Sequence, residues 1–164
     1  FKKGDIVSLD LGITHKGLIT DMALTTPVGK VDATATKLIR AVRKGLDKGI
    51  SVARAGNRIG DIADAIASVS EEYGFSVVPE LGGHGVGHRV HEEPFVPNIG
   101  RAGTGPLLEV GMVLALEPIF NEGKAAVFLD KQDGYTYKTR DGKRSAHYEK
   151  TILITDGAAE ILTP

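Results

Sequence analysis

The 164-residue chain contains no cysteine and no tryptophan, and only five histidines. Without cysteine there is no disulfide frame, no thiolate metal ligand and no cysteine nucleophile. The absence also fits a reducing compartment, and a cytoplasmic location is expected. An excess of one charge is missing too. Twenty Lys and Arg stand against 21 Asp and Glu, a formal charge of −1. That predicts no general affinity for nucleic acid or for an anionic membrane. Long hydrophobic runs are absent: VGMVLAL at 110–116 is far short of the ~20 residues of a membrane helix. The opening FKKGDIVSLD has no apolar core of a secretory signal. What remains is an ordinary globular balance, 41% hydrophobic and 25% charged. It is sufficient for one domain over residues 1–164. The chain opens on Phe1 and runs almost at once into a strand. We therefore expect an N-terminal part to be missing.

Period-two alternation predicts strands at 5–13 (DIVSLDLGI) and 18–28. Joined by a loop at His15-Lys16, they form a hairpin whose paired residues sum to 31, which sets Asp10 opposite Asp21. Asp32 is the expected N-cap of a helix from Ala33, with Leu38, Ile39, Val42, Leu46 and Ile50 on its inner face. Ala55-Gly56-Asn57 interrupts. A second helix spans 59–73, with Ile59, Ile62, Ala63, Ile66 and Val69 inward and Gly74 terminating it. Further strands are expected at 75–78, 112–120, 125–129, 135–139 and 146–154, with 97–106 irregular. The order of hairpin, two helices and several strands predicts an α+β fold, with helices on one face of a largely antiparallel sheet.

Residues 82–94, GGHGVGHRVHEEP, hold three of the five histidines and four glycines. Carboxylates elsewhere stand where a strand core expects apolar residues. Asp10 lies in LDLGI, Asp21 in ITDMAL, Glu117 in MVLALEPIF and Glu149 in SAHYEKTILI. Like charges facing each other across a hairpin, and bare carboxylates in apolar runs, are both unfavourable. Solvation of Asp21 at a sheet edge and salt bridges to the glutamates would answer each conflict singly; a cation between them removes all of them together. Carboxylates with histidine and no sulfur suit hard or borderline divalent ions: Mn²⁺, Fe²⁺, Co²⁺ or Zn²⁺. Four carboxylates and a histidine are too many for one catalytic zinc and suit a pair of ions. A three-histidine zinc site at His84, His88 and His91 leaves the carboxylates unexplained.

DIVSLDLG with ITDMALTTPVG, GGHGVGHRVHEEP, GMVLALEP and SAHYEKTILITDGAAEILT together resemble type I methionine aminopeptidases, of the pita-bread (creatinase/aminopeptidase-like) fold. They occur in that family's order along nearly the whole chain. The resemblance implies five metal ligands, Asp10, Asp21, His84, Glu117 and Glu149, with Asp21 and Glu149 bridging two divalent ions. It implies hydrolysis of N-terminal methionine from peptides and nascent proteins by a hydroxide held between the ions. It further implies that Glu117, or a neighbouring carboxylate, relays a proton and that His91 holds the substrate carbonyl. Glycines at 82–87 are expected to let backbone approach the ions. His88 is expected to face solvent or to be structural, His15 to sit in a turn, and His147 either to support a ligand or to lie at the surface.

The departures from the pattern fall around the specificity pocket and in the missing N-terminal segment. Val90 stands where that family has a bulky aromatic, and Tyr135 where it has tryptophan; both are expected to touch substrate. Ile19-Thr20 replaces His-Gly before Asp21, and Lys150 replaces histidine after Glu149. The family's N-terminal segment has no counterpart here, so an open sheet edge, uncovered apolar surface and self-association are expected. Alternative functions are a non-catalytic or partner-dependent binding module on the same fold, and an aminopeptidase or Xaa-Pro dipeptidase of other specificity.

Overall fold

The computed structural model of the chain describes residues 1–163. Its elements are β1 (Ile6–His15), β2 (Leu18–Pro27), α1 (Ala33–Val52), α2 (Ile59–Tyr73), β3 (Ser76–Val77), β4 (Gly82–Gly85) and β5 (Glu92–Pro97), then β6 (Val113–Leu116), β7 (Ile119–Asn121), β8 (Val127–Leu129), β9 (Tyr137–Thr139), β10 (Ser145–His147), β11 (Glu149–Leu153) and β12 (Glu160–Ile161). The α+β order is as the sequence predicts.

The first hairpin turns one residue later than expected. Lys16 and Gly17 form the loop, both at positive φ (50° and 81°), the conformation a tight two-residue hairpin requires. Paired numbers sum to 33, so Asp10 lies opposite Ala23 and Asp21 opposite Gly12. Asp10 and Asp21 are diagonal neighbours on one face, not directly opposed.

The main sheet runs β1-β2-β11-β6-β4-β5, with β12 added beside β11, and every pairing in it is antiparallel. A second sheet runs β10-β7-β3, and β8 pairs with β9. Two expected long strands are therefore each divided between sheets. The run 112–120 breaks at Glu117-Pro118, where proline has no N–H for a ladder. The run 146–154 breaks at Tyr148, whose N–H donates to the Pro118 carbonyl instead.

Asp32 caps α1 as predicted, its Oδ1 accepting from the Ala35 N–H at 2.8 Å. Gly74 closes α2 in the left-handed region. Both helices lie over one side of the main sheet. Leu38, Val42 and Leu46 from α1 and Ile59, Ile62, Ile66 and Val69 from α2 meet Leu114, Leu116 and Ile152 in a single core. Each such side chain contributes about 1.5–3 kcal/mol by leaving water. Ile39 and Ile50 are only partly buried. The helices do not cover the first hairpin. Leu9, Leu11, Ile13 and Leu18 share its helix-side face and remain exposed. No helix among the described residues is long and apolar enough to cross a membrane.

Candidate metal centre

Strand register carries five polar side chains to the face opposite the helices. Asp10 pairs with Ala23, and Ala23 with Glu149. Cross-strand partners share a face, and alternate residues return to it. Asp10, Asp21 and Glu149 therefore project together. Thr151 pairs with Ala115, and Ala115 with His84, which brings His84 to the same side. Glu117 follows two residues after Ala115, at the break between β6 and β7. Thr151 locks this register: its Oγ1 accepts from the Asp21 N–H at 2.8 Å and donates to the Asp21 carbonyl at 2.7 Å.

Asp21, His84 and Glu149 are buried, and one donor atom from each lies within 4.8 Å of the others. Glu117 adjoins them, its Oε1 3.4 Å from His84 Nε2. Its Oε2 is 3.5 Å from His147 Nε2. Asp10 sits at the outer margin, its Oδ2 3.9 Å from His147 Nδ1. The structure thus brings the four carboxylates and His84 into one cluster.

The electrostatics of the cluster are unfavourable without a cation. Burial, reinforced by Asp10 and Asp21, raises Glu117 to about 8. Burial, with Glu117, Asp21 and Asp10, raises Glu149 to about 9. Asp21 is raised by burial and then by Asp10. Burial also depresses His84 and lowers His147 to about 4, which favours the neutral imidazole at both. The tautomer of His84 follows from its hydrogen bond. Nδ1 lies 2.9 Å from the Gly85 carbonyl, which only accepts, so Nδ1 carries the proton. The Nε2 lone pair then points at carboxylate oxygens. A nitrogen lone pair and carboxylate oxygens gathered within a few ångströms are the donor set of a divalent metal site. The residues present fit such an ion.

Asp10, His84 and Glu117 line a cleft of about 1080 Å³, with Asp21 and Glu149 buried behind them; its walls include Arg89, His91, Glu93, Phe95, Tyr135 and Tyr137. His91 stands with its ring centroid 4.4 Å from that of His84, edge to face. Tyr135 lines the cleft, whereas Val90 is exposed and outside its lining. His88 is exposed and also outside it, and His15 ends β1 at the hairpin tip. The glycines of the histidine segment answer to neighbouring backbone. A Cβ on Gly83 would lie 2.1 Å from the Ala115 carbonyl oxygen, and one on Gly85 2.2 Å from that of Glu93. Only glycine lets β4 sit between β5 and β6 at this spacing. Sequence reasoning did not single out Arg89 and Phe95 as cleft residues, and it gave His147 no partner. The signal for His147 was its place two residues before Glu149.

A model of metallopeptidase family M24 matches residues 1–156. The chain belongs to metallopeptidase family M24. Among its M24 relatives, a methionine aminopeptidase of Clostridium perfringens is 50% identical over 163 residues, which cover 99% of this chain and 65% of that protein. A Bacillus subtilis methionine aminopeptidase is 43% identical over 162 residues, with the same two coverages. The crystal structure of methionine aminopeptidase from Thermotoga maritima superposes with a TM-score of 0.96 at 47% identity, covering 99% of this chain and 65% of that one. A prolidase from Pyrococcus horikoshii aligns at 0.78 and 25%, covering 99% of this chain and 41% of its own. The fold is the pita-bread fold, and within M24 the chain is more similar to these methionine aminopeptidases than to that prolidase. It spans about 65% of the length of the curated relatives it matches.

Proposed function

We propose that this M24 chain carries the catalytic centre of a metal-dependent aminopeptidase that removes N-terminal methionine from peptides and nascent proteins. The observation that carries the reading is the buried meeting of Asp21, His84 and Glu149, with His84, Glu117 and Asp10 facing an open cleft. The 50% identity to a methionine aminopeptidase supports the substrate. Asp10, Asp21, His84, Glu117 and Glu149 would hold two divalent ions drawn from Co, Mn, Fe and Zn. When bound, such ions supply Lewis acidity and lower the pKa of a water so that it can attack a peptide carbonyl.

The chain's own residues supply the rest. His91 lines the cleft beside His84 and donates a hydrogen bond to the substrate carbonyl oxygen as negative charge develops there. Glu117 is a raised carboxylate that also lines the cleft, so it is placed to take a proton and pass it to the departing amine. Tyr135 forms part of the wall against which the methionine side chain packs, whereas Val90 lies outside that wall. The cytoplasm, where new chain ends arise, is the expected place of action.

The test is release of methionine from a Met-Ala-Ser peptide by metal-stripped protein titrated with Mn²⁺, Co²⁺ or Fe²⁺. Turnover is expected only with metal, and Glu117→Ala should lower it by roughly 10²–10⁴-fold. Metal uptake without turnover would replace this reading with a partner-dependent module. No metal uptake would overturn the ligand assignment.

A further inference from the structure

Glu117 stands between two imidazoles that are not equivalent. Its Oε1 faces His84 Nε2 at 3.4 Å, and that nitrogen offers a lone pair because its ring proton is committed to Gly85. A carboxylate oxygen and a lone pair at this distance are reconciled by a proton on Glu117 in the metal-free chain, or by a cation between the two once the carboxylate is ionised. Its Oε2 faces His147 Nε2 at 3.5 Å, and that nitrogen is buried without a hydrogen-bond partner. A buried, unpaired ring nitrogen is costly, and the acceptor in front of it is a carboxylate oxygen.

We propose that His147 is a positioning residue of the metal centre. Its Nε2–H holds Oε2 of Glu117, which leaves Oε1 as the one oxygen directed to the cation shared with His84. This rests on the metal-centre reading given above.

The imidazole is itself well anchored. The His147 backbone N–H donates to Thr25 Oγ1 at 2.8 Å, and Thr25 Oγ1 donates to the His147 carbonyl at 2.8 Å. Ser8 Oγ lies 2.8 Å from the same hydroxyl. These contacts tie β10 to both strands of the first hairpin, so the ring keeps its place relative to Asp10 as well as Glu117. The His147 side chain is only 14% exposed, whereas that of Asp10 is 59% exposed. Nδ1, 3.9 Å from Asp10 Oδ2, is beyond direct hydrogen-bond reach and within reach of water. The buried edge of the ring is thus the one that meets Glu117.

The experiment is calorimetric titration of Mn²⁺ into the metal-stripped chain as wild type, His147→Gln and His147→Leu. The visible spectrum of the Co²⁺-loaded proteins is recorded alongside. Glutamine keeps an N–H donor, and leucine keeps only bulk. The Leu variant should bind about 10–100-fold more weakly and the Gln variant within about threefold of wild type. The cobalt spectrum should change in the Leu variant alone, because a freed Glu117 alters its mode of coordination. Equal affinity in wild type and the Leu variant would overturn the proposal. So would a Gln variant as weak as the Leu variant, which would make the imidazole a direct ligand. Wild type taking up no metal is a separate result, independent of any substitution, and it removes the metal-centre reading and this proposal together. If the Leu variant does not fold, His147→Met tests the same loss of a donor.

Discussion

Glu117 and Glu149 keep their protons in the folded chain up to about pH 8 and 9, against an ordinary value of 4.5. A raised folded-state pKa means the native state holds protons the unfolded chain has lost, so stability falls as pH rises through that interval. His147 and His84 are depressed instead, and they oppose the trend only below their ordinary 6.5. Between pH 6.5 and 8.5 the carboxylates prevail. The melting temperature of metal-stripped protein should fall by roughly 10 °C over that range, and saturating Mn²⁺ should remove the fall by favouring the ionised carboxylates. Glu149→Gln should melt with a shallower pH dependence and gain nothing from the metal. A flat or rising profile for the stripped wild type would contradict this account. At this scale the cluster was legible, because a carboxylate inside an apolar run needs a compensating partner and several such runs share that need. His147 was less legible. Its role depends on which oxygen of Glu117 it faces, and that is set by the break at Pro118, which periodicity does not reveal.

The elements were legible where period and caps agree, as in Ala33–Val52 and Ile59–Tyr73. They were misread where a strand changes sheets. MVLALEPIF and SAHYEKTILI each read as one apolar run, yet each breaks so that a single segment serves two sheets. The hairpin register slipped by one turn residue because His15-Lys16 and Lys16-Gly17 are both credible loops. Only the second places glycine at a position needing positive φ. Parity rescued the site: moving the pairing sum from 31 to 33 leaves Asp10 and Asp21 on the same face. The glycines of β4 make a test at this scale. Gly83→Ala sets a Cβ 2.1 Å from the Ala115 carbonyl oxygen, whereas at Gly87 the nearest atom is 3.7 Å away. The first should cost about 1–3 kcal/mol or more and weaken metal binding by displacing His84. The second should be near neutral. Chemical denaturation of both variants checks the contrast, and equal effects would contradict the close approach of β4 to β6.

For the whole molecule, two faces of one sheet divide the work. One carries the core beneath two helices and the other the carboxylate cluster, and alternation along each strand makes both from one sequence. The helices cover only part of their side. Leu9, Leu11, Ile13 and Leu18 leave an apolar strip on β1 and β2, with β1 an open edge. Such a strip favours association. We expect concentration-dependent self-association in sedimentation velocity, reduced by Leu11→Lys. A monomer at all concentrations, with no effect of the substitution, would count against it. The sequence anticipated this surface only through the resemblance, since exposure depends on where the helices lie.

The central claim is that this sheet face is a metal centre. The most direct measurement is anomalous diffraction from crystals of the chain grown with Mn²⁺. The account predicts anomalous density bounded by Asp21, His84, Glu117 and Glu149. Absence of density there at saturating metal, or density only elsewhere on the molecule, would contradict it.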